Sequence, residues 1–169
     1  MIDSDIYITK HARDIFEAVA EYPWGATKNN AYDLPNLART DMLCFQSCPV
    51  ENRPSFLLNG GVYVISKTYK NELENLYDMY SVKKEHQGYD MGPLSYFLLN
   101  DGKGVILPPE FNTIVISYID KYGCSLSSIL KMYNSASFLH FAASKWRSVY
   151  LFVKWFDTTE SKILKKIVR

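Results

Sequence analysis

Apolar positions in residues 11–21 (HARDIFEAVAE) fall at Ile15, Phe16 and Val19, the spacing of a short amphipathic helix. Before it, Ile2 to Thr9 reads as the end of a strand and a turn. Residues 22–54 lose the periodicity, because Pro23, Gly25, Pro35, Pro49 and Pro54 are mixed with Asn and Asp. That predicts a long irregular stretch with a short strand at Trp24–Thr27 and a short helix around 33–42. Connections of this length usually carry function or are disordered. SFLLNGGVYVISK (55–67) has the pattern of a strand, interrupted by Asn59-Gly60-Gly61. Glycine inside a strand marks a bulge or a close approach to the backbone.

Residues 68–84 put Leu73, Leu76, Tyr77 and Tyr80 on one helical face. A turn at HQGYD precedes a helix from about Pro93, since proline is tolerated in a first turn. GVILP (104–108) reads as a short strand, and 125–133 as a helix with Ser125 or Ser127 as its cap. ASFLHFAA (136–143) reads as a short buried strand ending at His140, and residues 144–156 and 158–168 as two helical segments. Strands alternating with helices predict an α/β class, a mixed sheet with flanking helices. The chain divides into a domain over 1–157 and a basic amphipathic helix over 158–169. In that helix Ile163, Leu164, Ile167 and Val168 share one face, with Lys162, Lys165, Lys166 and Arg169 on the rest. Such a face either packs on the domain or lies on an anionic membrane surface.

Composition narrows the class. The 169 residues suffice for one domain with a real core. A net charge of +1 and a pI near 7.7 speak against a nucleic-acid partner, which calls for a clustered basic face. The 13 tyrosines and 9 phenylalanines are better read as core filling than as a stacking platform for sugars or bases. Three cysteines, two of them spaced C-x3-C at Cys44 and Cys48 without a second pair, predict neither a disulfide framework nor a zinc site. With acids rather than a basic apolar leader at the start, the expectation is a cytoplasmic protein. No run approaches the roughly 18 apolar residues of a membrane span.

Chemistry begins at Asp3-Ser4-Asp5. Residues i and i+2 of a strand point to one side, and the carboxyl end of a strand in an open α/β sheet faces the ligand crevice. Two carboxylates there repel unless a cation joins them. Mg²⁺ and Mn²⁺ accept such oxygens and keep positions open for phosphates. The same pattern also suits a solvated turn.

Asp3-Ser4-Asp5 followed by Ile-Tyr-Ile resembles the D-x-D metal motif of the GT-A-fold nucleotide-sugar glycosyltransferases. In the same order along the chain, LLNGGVYVIS resembles their F-N-x-G-V block and YDMGPLSYFLLND their D-Q-x-x-L-N block. LPPEFN resembles L-P-x-x-Y/F-N, and SASFLHFAASKW resembles the closing H-F-x-G-x-x-K-P-W. The pattern is most similar to family eight, the group of glycogenin and the bacterial lipopolysaccharide galactosyl- and glucosyltransferases, from Asp3 to Trp146. The resemblance implies sugar transfer from a nucleotide-diphosphate sugar to a hydroxyl of a glycan or lipid-linked acceptor, with Mn²⁺ or Mg²⁺ as cofactor and retention at the anomeric carbon. By position it implies Asp5 and His140 as metal ligands, with Asp3 shared between metal and donor ribose. Lys145 would meet the diphosphate. Asn59, Gly60 and Gly61 would line a sugar, and Asp90 would bond its hydroxyls, with Asn59 and Asp90 the catalytic candidates. Met91 replaces the usual Gln, Ala143 replaces Gly, the stretch before Lys145 is one residue shorter, and no Pro precedes Trp146.

In the GT-A fold the D-x-D motif closes the nucleotide-binding half, and here two residues precede Asp3. The resemblance therefore implies a truncated GT-A fold. Its missing half would belong to a longer parent, to a lost upstream part of the gene, or to another chain. Loss of the central strands would leave an open sheet edge, which favours an oligomer. The rival to an enzyme is a catalytically silent remnant acting as a carbohydrate-binding or assembly subunit. A metal-dependent phosphodiesterase would gather more carboxylates. The expected geometry has Asp3, Asp5 and His140 converging and Asn59 lying near Asp90.

Overall fold

A computed structural model describes residues 2–35, 42–46, 48–81, 91–142 and 147–167, with side chains described throughout except at 80–81 and 159–167. It divides into two compact units, residues 1–3 with 14–109 and residues 4–13 with 110–169. Each carries one small mixed sheet, so the α/β class with flanking helices holds, with two sheets where one was expected.

In the first unit β2 (Trp24–Lys28) lies between β3 (Leu58–Ile65) and β4 (Val105–Leu107). It runs antiparallel to β3 and parallel to β4. A strand flanked on both edges and covered on both faces is apolar throughout, and β2 is buried from Trp24 to Thr27. Trp24, Ala26, Leu58, Tyr63, Tyr69 and Leu98 form the core. The helices are α1 (Ile15–Ala18), α2 (Lys70–Ser81) and α3 (Met91–Asp101), with Pro93 in the first turn of α3 as expected.

Two apolar faces differ from expectation. The helix over 11–21 is a single turn. Asp14 caps it by accepting the Phe16 N–H at 2.8 Å, and Ile15 and Val19 are buried while Phe16 is exposed. In α2, Leu73 packs against the core, whereas Tyr77 faces water. The helix expected around 33–42 falls mainly on 36–41, outside the described residues. The glycine interruption of β3 is a bulge. Ala26 pairs with Tyr63 and Lys28 with Leu58, so two steps on β2 match five on β3, and Asn59-Gly60-Gly61 lie in the surplus.

The second unit has β6 (Phe138–His140) between β1 (Ile6–Ile8) and β5 (Thr113–Ile114). β6 is antiparallel to β1 and parallel to β5. Its helices are α4 (Val115–Tyr122), α5 (Leu126–Ser135) and α6 (Arg147–Ile167). Ser125 caps α5 by accepting the Ser128 N–H at 3.1 Å, one of the two serines expected. Phe111, Val115, Met132, Tyr133, Leu139 and Val153 are fully buried.

The strand at the D-x-D motif is corrected. β1 begins at Ile6, after the motif, so Asp3 and Asp5 lie outside it, Asp5 in a turn, not at a strand's carboxyl end. The two C-terminal helical segments are also corrected, since α6 runs unbroken through 157 and 158. Asp157 accepts the Tyr7 hydroxyl at 2.5 Å on one oxygen and the Tyr133 hydroxyl on the other, which ties the middle of α6 to β1 and α5. Burial, then the hydrogen bond to Asp157, push the Tyr7 phenol well above its ordinary value. The apolar face at 163, 164, 167 and 168 falls outside the described side chains. Among the described residues no helix is long and apolar enough to cross a membrane.

Candidate functional site

His140 is the last residue of β6, paired with Ile6 of β1 on one side and Ile114 of β5 on the other. Its ring is buried, 6% exposed. Asp5 sits one residue before β1 and continues the ladder beyond it, its carbonyl accepting the Phe141 N–H at 3.0 Å. This pairing sets the Asp5 carboxylate beside the imidazole, with Oδ1 3.3 Å from His140 Nε2. That oxygen is shielded from solvent and has no hydrogen-bond partner, while the Asp5 side chain as a whole is 40% exposed. On the ring's other side the Oδ1 of Asn112 lies 3.1 Å from Nδ1.

Asn112 ends the 3₁₀ turn Pro109–Asn112, which leads directly into β5. Because β5 pairs with β6, the amide is delivered to the ring by main-chain register rather than by a flexible loop. Asn112 is 1% exposed. The LPPEFN block carries it in the sequence, and only the pairing of β5 with β6 gives the amide its place against the ring.

Asp3 belongs to the first unit, where its N–H donates to the Gly61 carbonyl at 2.8 Å. Asn59 is buried, its Nδ2 donating to Asn29 Oδ1 at 2.7 Å and its Oδ1 accepting the Gly61 N–H at 2.8 Å. Those bonds brace the β3 bulge, the arrangement of a structural amide. The Gly60 N–H points at the Met91 sulfur at 3.2 Å, and a Cβ on Gly60 would come within 3.1 Å of Met91 Cγ. Met91, where the sequence departs from the resembled pattern, thus fills the space over Gly60. Gly61 spends its carbonyl on Asp3 and its N–H on Asn59. Asp90 and Lys145 lie outside the described residues.

No protein-family model, curated protein or solved structure matches this chain. The chemistry of the site therefore rests on the pair Asp5–His140 and its neighbour Asn112. One ring nitrogen at the end of β6 and one carboxylate oxygen just before β1 thus lie side by side, with the Asp5 side chain partly open to water.

Proposed function

We propose that this chain is the metal-binding, acceptor-side part of a glycosyltransferase that moves a sugar from a nucleotide-diphosphate sugar to a hydroxyl acceptor, using Mn²⁺ or Mg²⁺. The observation that carries this reading is the Asp5 Oδ1, buried without a hydrogen bond at 3.3 Å from a ring nitrogen. Buried polar atoms ordinarily find partners, and an unpartnered carboxylate oxygen facing an imidazole fits a cation bridging the two. The mixed nitrogen and oxygen set suits Mn²⁺ better than Mg²⁺, which prefers all-oxygen surroundings. A divalent cation there would neutralise charge on the departing diphosphate. The work of Asp5 and His140 is to hold two donor atoms at fixed positions on one ladder while the open side of Asp5 admits phosphate oxygens. The block order from Asp3 to Trp146 supports the sugar-nucleotide class.

Calorimetric titration of the metal-stripped chain with MnCl₂ is expected to show one saturable site that Asp5→Ala and His140→Ala each abolish. Binding indifferent to both substitutions would overturn the metal reading. Mn²⁺-dependent release of UDP from a UDP-hexose, followed by ³¹P NMR and lost in Asp5→Ala, is expected for the transferase. Metal binding without cleavage of UDP- or GDP-hexoses would overturn the activity and leave the silent remnant.

A further inference from the structure

We infer that Asn112 is a positioning residue that selects the tautomer of His140, holding Nε2 unprotonated and aimed at the space beside Asp5. A neutral imidazole has one N–H donor and one lone pair. The Asn112 Oδ1 at 3.1 Å from Nδ1 can only accept, so the ring hydrogen resides on Nδ1. Nε2 then turns a lone pair toward the Asp5 Oδ1 at 3.3 Å, which is itself an acceptor. This explains why a buried carboxylate oxygen beside a ring nitrogen has no hydrogen bond. Two acceptors at that distance repel, and a cation between them reverses the sign.

Asn112 is suited to the task because it is itself fixed. It is 1% exposed and leads straight into β5, whose Ile114 pairs with His140. The amide therefore prepares the ring before any ion arrives, the service that hydrogen-bond partners behind metal-binding histidines provide. Turned over, the same amide would donate to Nδ1, Nε2 would carry the hydrogen, and Asp5–His140 would be an ordinary hydrogen bond. This inference rests on the metal reading for its purpose, but it has a readout of its own.

The test is a long-range ¹H–¹⁵N spectrum of the metal-stripped, ¹⁵N-labelled full chain, with the His140 signals assigned by His140→Gln. The expected result is hydrogen on Nδ1 and none on Nε2. In Asn112→Ala the ring should populate both tautomers, and the Mn²⁺ affinity measured by calorimetry should fall about 10–100-fold. Asn112→Asp, which keeps an acceptor at that point, should retain the Nδ1–H tautomer and restore the affinity. A hydrogen on Nε2 in the unmodified protein would overturn the inference, whether or not the chain binds metal. An unchanged tautomer in Asn112→Ala would overturn it as well. If Asn112→Ala fails to fold, the unmodified spectrum and Asn112→Asp still decide. Failure of the unmodified chain to bind Mn²⁺, with Nδ1–H observed, would sink the metal reading alone.

Discussion

Gly92, at the start of α3, has no room for a side chain. An added Cβ would lie 1.9 Å from the Cys44 carbonyl oxygen and 2.7 Å from its carbon, and backbone cannot swing aside as a side chain can. Gly92→Ala is expected to lower unfolding stability by about 1–3 kcal/mol, read as a shifted urea midpoint. An unshifted midpoint would mean that the Cys44 backbone is not held against α3. Asp5 predicts the opposite balance. In Asp5→Asn the new amide can donate to the His140 lone pair, so the metal-free variant should melt at or above the temperature of the unmodified protein. On the proposed metal reading it should also lose the upward shift expected of MnCl₂ binding to the folded state. A lower metal-free melting temperature would argue that the carboxylate is needed for folding rather than for binding.

At the scale of elements, the bulge of β3 and the length of α6 carry separate expectations. Asn59→Ala removes a buried amide and leaves the Gly61 N–H and the Asn29 side chain each short of a bond. Stranding buried groups costs about 1–3 kcal/mol each, so this substitution should destabilise without touching Mn²⁺ binding. If Mn²⁺ affinity fell while the urea midpoint held, Asn59 would be a ligand-facing residue after all. Helix α6 is probed by Thr158→Pro. Thr158 lies inside the helix, its hydroxyl donating to the Lys154 carbonyl at 2.8 Å. Proline there should cost about 3 kcal/mol or more and lower the helical circular dichroism. Were 158 the opening of a separate helix, proline would be accepted in its first turn. In the fold, Asp157 is a polar residue on the inner side of one helix, satisfied by two tyrosine hydroxyls.

For the whole molecule, the shifted groups define a window of pH. Tyr7 and Tyr118 are raised above 10.0, first by burial, and Tyr69 first by its hydrogen bond to Asp101. Above pH 10 the unfolded phenols lose protons that the folded ones keep, so stability should decline as pH rises beyond that value. Asp101 is lowered below 3.8, first by the Tyr69 hydroxyl. Its contribution is present above the unfolded value and fades as pH falls through the folded one. Melting temperatures across pH should show a plateau between these limits, and Tyr7→Phe should flatten the alkaline decline. A decline of the same slope in Tyr7→Phe would assign it elsewhere. The sequence by itself determined what short-range chemistry decides. Pro93 and Ser125 marked helix starts, and Gly60-Gly61 marked the bulge, because each depends on neighbours a few positions away. Only the tertiary structure made VISYI helical, since Val115, Tyr118 and Ile119 bury one face although the segment is rich in β-branched residues. Burial likewise left Phe16 and Tyr77 in water, as an amphipathic face has meaning only against the surface that covers it. Asp5 and His140 were legible as an acid and a strand-ending histidine. Their 3.3 Å approach, and the amide of Asn112 behind the ring, follow from pairing Ile6 and Ile114 with His140. The pairing of Ile6 with His140 joins residues more than a hundred positions apart, and no local pattern encodes it.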